Sequence, residues 1–80
     1  MYIVVEKDTG KFIRDTGTAS NIDIEDLYSN LANNIDKDKQ QIIRVEDDSP
    51  FINTFESMFD SGKEFKVELK ENQVVGVRVL

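Results

Sequence analysis

The absence of cysteine sets the strongest limit on how this chain can fold. An 80-residue chain can enclose one hydrophobic core, and at this size apolar burial only narrowly outweighs the loss of chain entropy. Without cysteine, no disulfide and no thiolate metal site can add to that core. We therefore expect residues 1–80 to form one domain that is stabilised by side-chain packing alone.

The composition is that of an ordinary globular protein. Hydrophobic residues make up 39% of the chain and charged residues 32%, which argues against disorder. The apolar runs are far shorter than the roughly 20 residues that cross a bilayer. The run at residues 1–5 has no basic segment before it and no small-residue cleavage site after it. We expect a soluble, cytoplasmic protein without a signal peptide or a membrane span.

Charge and histidine content restrict the function further. Asp and Glu number 16 against 10 Lys and Arg, and the net charge of −6 repels nucleic-acid phosphates and anionic lipids. The chain has no histidine, so the usual general base and the commonest metal ligand are missing, and the lack of cysteine excludes thiol catalysis. We expect no enzyme activity, no cofactor, no metal site, and no direct binding to nucleic acid or membrane.

Patterns in the first half predict a hairpin, a helix and a strand. Residues 2–7 and 12–14 are strand-like and flank turn chemistry at residues 8–11, which indicates a β-hairpin. Apolar residues at helical spacing follow and predict a helix, which Asn21 or Asp23 can cap and which ends in the polar segment 33–39. The members of this helical stripe are Ile24, Leu27, Tyr28, Leu31 and Ile35. Residues 41–45 then read as a short strand, with Ile43 and Val45, or Ile42, directed inward.

The second half predicts a helix and a closing hairpin. Ser49-Pro50 is typical of a helix start, and Gly62 is a natural stop. Between them lies an apolar face that we expect to pack in the core, formed by Phe51, Ile52, Phe55, Met58 and Phe59. Residues 65–70 and 75–79 alternate between apolar and polar or small residues, and the segment 71–73 between these strands is turn-like.

These elements define an α+β fold with the order β-β-α-β-α-β-β. The natural architecture is one small sheet, mostly antiparallel or mixed, with two helices packed on one of its faces.

Two tripeptides match the signature of aspartic proteases, in which two carboxylates share one proton. They are Asp8-Thr9-Gly10 and Asp15-Thr16-Gly17. Basic residues flank both copies, and Asp and Gly are favoured in turns for reasons of backbone geometry. We interpret both as turns.

Two segments of alternating oxygen side chains are similar to calcium-binding loops. They begin at Asn21 and at Asp36, but Asp26 and Gln41 occupy the positions at which the loop needs glycine. We interpret their acidic residues as capping and solvated charges.

Two surfaces are candidates for binding a protein partner. The first is the acidic run Glu46, Asp47 and Asp48, which complements the dipole of the following helix, forms a recognition patch, or is a weak cation site. The second is the last strand, with Val75, Val77 and Val79, which carries little of the charge that blunts a sheet edge. That strand is either central in the sheet or an edge that pairs with a partner or with a second copy in a homodimer.

The first half of the chain resembles ubiquitin-like proteins of the β-grasp fold. The resemblance rests on residues 1–5, on Thr9-Gly10-Lys11 with Ile13, on the helix at 24–35 and on the strand entry at 40–42. It implies a β-grasp-like fold. The chain ends in Val79-Leu80 without the Gly-Gly that conjugation requires, so we expect no covalent modifier role.

A second resemblance is to small uncharacterised proteins encoded by phages and prophages of Gram-positive bacteria. It rests on the acidic Ser-Pro helix start at residues 45–50 and on the closing hairpin segment 66–72. It implies an accessory role without a particular chemistry.

Two hypotheses for the function follow. The first is a non-enzymatic module for protein–protein interaction, which acts through the exposed sheet edge or the acidic segment. The alternative is an acidic mimic of nucleic acid that inhibits a DNA- or RNA-binding protein. The carboxylates that such a mimic would present are Asp23, Glu25, Asp26, Asp36, Asp38, Glu46, Asp47 and Asp48.

Overall fold

A computed structural model describes residues 1–30 and 35–80. Within these ranges it contains five strands and two helices in the order β-β-α-β-α-β-β, which confirms the predicted α+β class and element order. The elements are β1 (Tyr2–Glu6), β2 (Phe12–Asp15), α1 (Ile24–Asn30), β3 (Gln40–Arg44), α2 (Phe51–Asp60), β4 (Phe65–Lys70) and β5 (Gln73–Val79). Leu31 of the predicted helical stripe, and Asn33 and Asn34 of its predicted end, lie outside the described residues.

The strands form two antiparallel sheets that meet at one point. β1 is the centre of a three-stranded sheet of order β2-β1-β3, and β4 pairs with β5. An isolated antiparallel bridge between Lys11 and Lys66 joins β4 to the start of β2. There the amide of Val67 donates a hydrogen bond of 2.8 Å to the carbonyl of Gly10. The single sheet expected from the sequence is therefore divided at the β2–β4 boundary.

The two helices lie on opposite faces of the three-stranded sheet, so the expectation that both pack on one face is wrong. Tyr2 and Val4 belong to a buried cluster with Leu27 of α1. Ile3 and Val5 belong to the other buried cluster, with Phe55 of α2 and with β4. Because residues 2–5 are all apolar and alternate between the faces of β1, both faces need a cover.

Stacked aromatic rings fill the core on the α2 side. The ring of Phe12 lies 5.6 Å from Phe55 and 4.7 Å from Phe65, measured between ring centroids. Phe51 is half-buried against this cluster. Phe59 contacts Phe12 edge to face but is 56% exposed, so its predicted place inside the core is wrong.

Local hydrogen bonds and a glycine fix the start of α1 and both ends of α2 near the positions expected from the sequence. Ile35, predicted as the last member of the first helical stripe, is buried but lies outside a helix. Asp23 caps α1, since its carboxylate accepts a hydrogen bond of 2.8 Å from the amide of Glu25. The hydroxyl of Ser49 accepts one of 3.2 Å from the amide of Phe51 at the start of α2. Gly62 follows α2 with φ +71°, as in a glycine helix stop. Neither α1 nor any other helix in the described ranges is long and apolar enough to cross a membrane.

A two-residue turn sets the register of the closing hairpin. Glu71 and Asn72 have φ of 53° and 63°, as in the type I′ turn whose twist matches that of the flanking strands. Lys70 therefore pairs with Gln73, and the pairing continues to Phe65 and Val79. A bulge interrupts the register beside Glu68, so β5 contains one extra residue there.

Candidate interaction surface

β5 is an edge strand. It pairs with β4 on one side, and no strand within residues 1–30 and 35–80 pairs with its other side. Of the two arrangements that the sequence left open, the described chain adopts the edge arrangement. With seven residues, β5 is long for an edge strand.

Hydrogen bonds of neighbouring residues show which backbone groups of β5 face outward. The amide of Val67 donates to Gly10, away from β5, so Val67 and Val77 form a non-hydrogen-bonded pair. The N–H and C=O of Val77 therefore also point away from β4. The amide of Leu80 donates inward to Glu64 at 3.0 Å, so by alternation Val79 points outward like Val77. The outer edge thus presents the donors and acceptors of both valines.

The side chains along this edge are mostly apolar. Val75 is 57% exposed and Val79 is 52% exposed, whereas Val77 is half-buried against the α2-side core. Arg78 is the charged residue of the strand. Charge and proline, which commonly protect edge strands, are therefore scarce on β5.

The edge of the three-stranded sheet that β3 forms is protected, unlike the β5 edge. The amide of Ile42 in β3 donates a hydrogen bond of 2.9 Å to the hydroxyl of Tyr28 on α1. The exposed Arg44 places a charge at the end of the same strand. β3 therefore has a side-chain partner for an outward amide, whereas the described structure gives the β5 edge no such cover.

Intramolecular contacts engage two of the three acids predicted as a recognition patch. Glu46 forms an ion pair with Arg44. The carboxylate of Asp47 accepts hydrogen bonds from the amino group of Met1 and from the hydroxyl of Ser20, the latter at 3.0 Å. The ammonium group and then the Ser20 hydroxyl lower the pKa of Asp47 below its usual value. Asp47 thus holds the loop after β3 against the segment that precedes α1.

The structure brings the acidic run close to only one end of β5. A groove of about 400 Å³ separates the loop after β3, including Glu46, from the β4–β5 turn and the first residues of β5, Gln73 and Val74. Val79 lies at the other end of β5. The six predicted partner-binding residues therefore belong to two separate surfaces.

The protease-like tripeptides do not form a catalytic pair. Asp8 lies in the β1–β2 turn and Asp15 is the last of the four residues of β2, so the length of β2, about 13 Å, separates the turn from Asp15. The carboxylate of Asp15 accepts a hydrogen bond of 2.9 Å from the amide of Gly17, which is turn geometry. The interpretation of this tripeptide as a turn is confirmed.

The two calcium-loop-like segments use their carboxylates for local backbone bonds. Asp23 accepts from Glu25, and Asp36 accepts from the amide of Asp38 at 3.0 Å. Within the described residues, no group of three or more acidic, histidine or cysteine side chains is arranged to hold a metal ion.

Sequence reasoning did not identify Glu68, Gly76 and Arg78 as part of this surface. Nε of Arg78 lies 3.7 Å from Oε1 of Glu68. The Glu68 side chain lies over Gly76: a Cβ built on Gly76 would be 3.4 Å from Oε1 of Glu68. The available signal was a single glycine and a single charge within an otherwise valine-rich strand.

Comparisons with known proteins add no constraint on this surface. No protein family, no curated protein and no solved structure matches the chain. The resemblances to ubiquitin-like and phage-encoded proteins therefore stay predictions.

Proposed function

We propose that the protein is a non-enzymatic interaction module of the cytoplasm that binds a protein partner by strand addition to β5. In strand addition, main-chain hydrogen bonds provide affinity and the alternating side chains provide specificity. The observation that carries the proposal is the outward direction of the N–H and C=O groups of Val77 and Val79, on an edge that no strand of the described residues covers. An accessory role of the kind that the phage resemblance implies is part of this proposal.

Two further features support the β5 edge over the acidic run. The exposed Val75 and Val79 offer apolar surface to an incoming strand. Glu46 and Asp47 already have intramolecular partners, and a partner protein would have to compete with those contacts. The acidic run is therefore the weaker candidate for the primary contact.

The test is capture of a partner by the immobilised protein from a lysate of the organism that encodes it. Wild type is compared with Val77→Pro, which removes the outward amide, and with Val77→Thr, which keeps that amide in a side chain of similar shape. We expect one stoichiometric protein that wild type and Val77→Thr retain at high salt and that Val77→Pro loses. Equal capture by all three forms would refute strand addition.

Proline in a half-buried strand position can also unfold the protein. The far-UV circular dichroism of Val77→Pro must therefore match that of wild type. Val79→Pro is a second variant with the same purpose, because Val79 is 52% exposed and ends the strand. Val79→Thr is its matched control.

The second candidate is an acidic nucleic-acid mimic, which the arrangement of carboxylates supports. All eight carboxylate side chains that it would present are exposed. The hydrogen bond between Ser20 and Asp47 also brings the acidic loop after β3 close to the acidic start of α1. In the same capture experiment, a mimic would hold nucleic-acid-binding proteins that elute at moderate salt and that Val77→Pro retains.

A further inference from the structure

We infer that the partner at the β5 edge is a second copy of this chain, paired antiparallel about a two-fold axis at Val77. This inference rests on the proposed use of β5 and goes further by naming the partner and the register. A two-fold contact requires a surface that is complementary to itself. The pattern of valines, glycine and charge along β5 meets that requirement in one register.

Centring the pair on Val77 uses the outward backbone groups of β5. Val77 of each copy would exchange two hydrogen bonds with its counterpart, as directly opposed residues do in an antiparallel hydrogen-bonded pair. In the same register Val79 of one copy meets the bulge at Val75 of the other, and both side chains are exposed. A register centred on Arg78 would instead oppose two guanidinium groups, which is unfavourable.

The opposite face of the same register pairs unlike charges. Arg78 would lie opposite Gly76 of the second copy, and Glu68 is the next residue across that second copy's hairpin. The two Cα atoms would be separated by two strand spacings, about 9.6 Å, which the two long side chains can bridge. Because Gly76 has no side chain, nothing stands between the guanidinium and the carboxylate. The symmetry produces this contact twice.

The positive charge of Arg78 is only partly neutralised within its own hairpin. It pairs directly with Lys66, a residue of like charge, and its contact with Glu68 is diagonal at 3.7 Å. Its side chain is 66% exposed. Pairing of two copies would add a carboxylate on its outer side, where the single chain has solvent. This charge complementarity favours a second copy over an unrelated strand.

Two charge reversals test the register. In Arg78→Glu, the new carboxylate would face Glu68 of the second copy, and in Glu68→Arg, the new guanidinium would face Arg78. We expect each variant alone to form homodimers about tenfold more weakly than wild type, since two surface ion pairs become two repulsions. Mixing the two variants places opposite charges at both contacts. We therefore expect the mixture to form a heterodimer of near wild-type affinity.

The mixing experiment distinguishes weakening caused by the contact between copies from weakening caused by the contact within one hairpin. Each variant carries like charges at positions 68 and 78 of its own hairpin, both before and after mixing. A loss caused within the hairpin would therefore not be rescued. The dissociation constants are measured by sedimentation equilibrium, and thermal melts monitored by circular dichroism show that each variant is folded.

Three results would overturn the inference. They are a wild-type chain that stays monomeric at every accessible concentration, a mixture that associates no better than its components, and a dimer that Val77→Pro does not weaken. A monomeric wild type that still captures another protein, and loses it through Val77→Pro, would remove the second copy as partner and leave the proposed function intact.

Discussion

Replacing Gly10 by alanine tests the junction between the two sheets. Gly10 has φ +77°, and a Cβ at this position would lie 2.5 Å from the carbonyl oxygen of Val67. Ordinary contact begins at 3.4 Å, so the β4 backbone would have to move by about 0.9 Å. That movement would disturb the Val67–Gly10 hydrogen bond that joins β4 to the first hairpin.

Gly17 provides a matched control for the backbone strain. It has φ +68°, but nothing lies within 4 Å of the position of its Cβ. Alanine in this left-handed region costs about 1–2 kcal/mol at either site. At Gly10 we add about 1 kcal/mol for the weakened hydrogen bond and about 1 kcal/mol for disturbed packing of the buried Val67. We therefore expect Gly10→Ala to lose about 3–4 kcal/mol of unfolding free energy.

Thermal and urea denaturation measure the difference between the two variants. For a domain of this size, 1 kcal/mol corresponds to about 4–8 °C in Tm. Gly10→Ala should therefore melt about 10–15 °C below Gly17→Ala. Amide exchange of Val67 should also accelerate in Gly10→Ala alone. Equal melting temperatures and unchanged exchange would refute the role of Gly10 in joining β4 to the first hairpin.

Four further substitutions test the core, the acidic loop and the protected sheet edge. Phe55→Ala should cost about 3–5 kcal/mol in urea unfolding, and Phe59→Ala, on the exposed side of the same helix, about 1 kcal/mol or less. The amino terminus and Ser20 stabilise ionised Asp47, so Asp47→Asn should lower stability at neutral pH. This deficit should begin to shrink as pH falls below the ordinary carboxyl pKa of about 4 and disappear below the lowered pKa. Denaturation over a series from about pH 7 to about pH 2 checks that. Tyr28→Phe leaves the buried β3 amide without its acceptor and should cost about 1–3 kcal/mol, with faster exchange of that amide.

Local sequence patterns predicted the elements because each depends on neighbouring residues. The alternation in residues 65–70 and the Ser49-Pro50 start appear in the structure as β4 and α2. The opposite placement of the helices was missed, although the unbroken apolar run at residues 2–5 contained the signal. Four consecutive buried residues in one strand need cover on both faces.

Contacts between distant residues explain what the sequence could not show. The Lys11–Lys66 bridge joins positions 55 residues apart, and no local pattern marks either lysine for it. The pairing of Asp47 with Ser20 likewise engages a predicted recognition acid in an intramolecular hydrogen bond. Whether β5 is central or an edge depends on the pairing of the other strands, so its own valine pattern suits both positions.

Amide hydrogen exchange along β5, measured by NMR as concentration or captured partner is raised, tests the central claim most directly. In the isolated chain the amide of Val77 faces solvent and should exchange fast, while the amide of Arg78 faces β4 and should be protected. On association, Val77 and Val79 should become protected, with little change at Arg78. Protection of Val77 in the dilute monomer, or fast exchange of Val77 in the complex, would contradict the account.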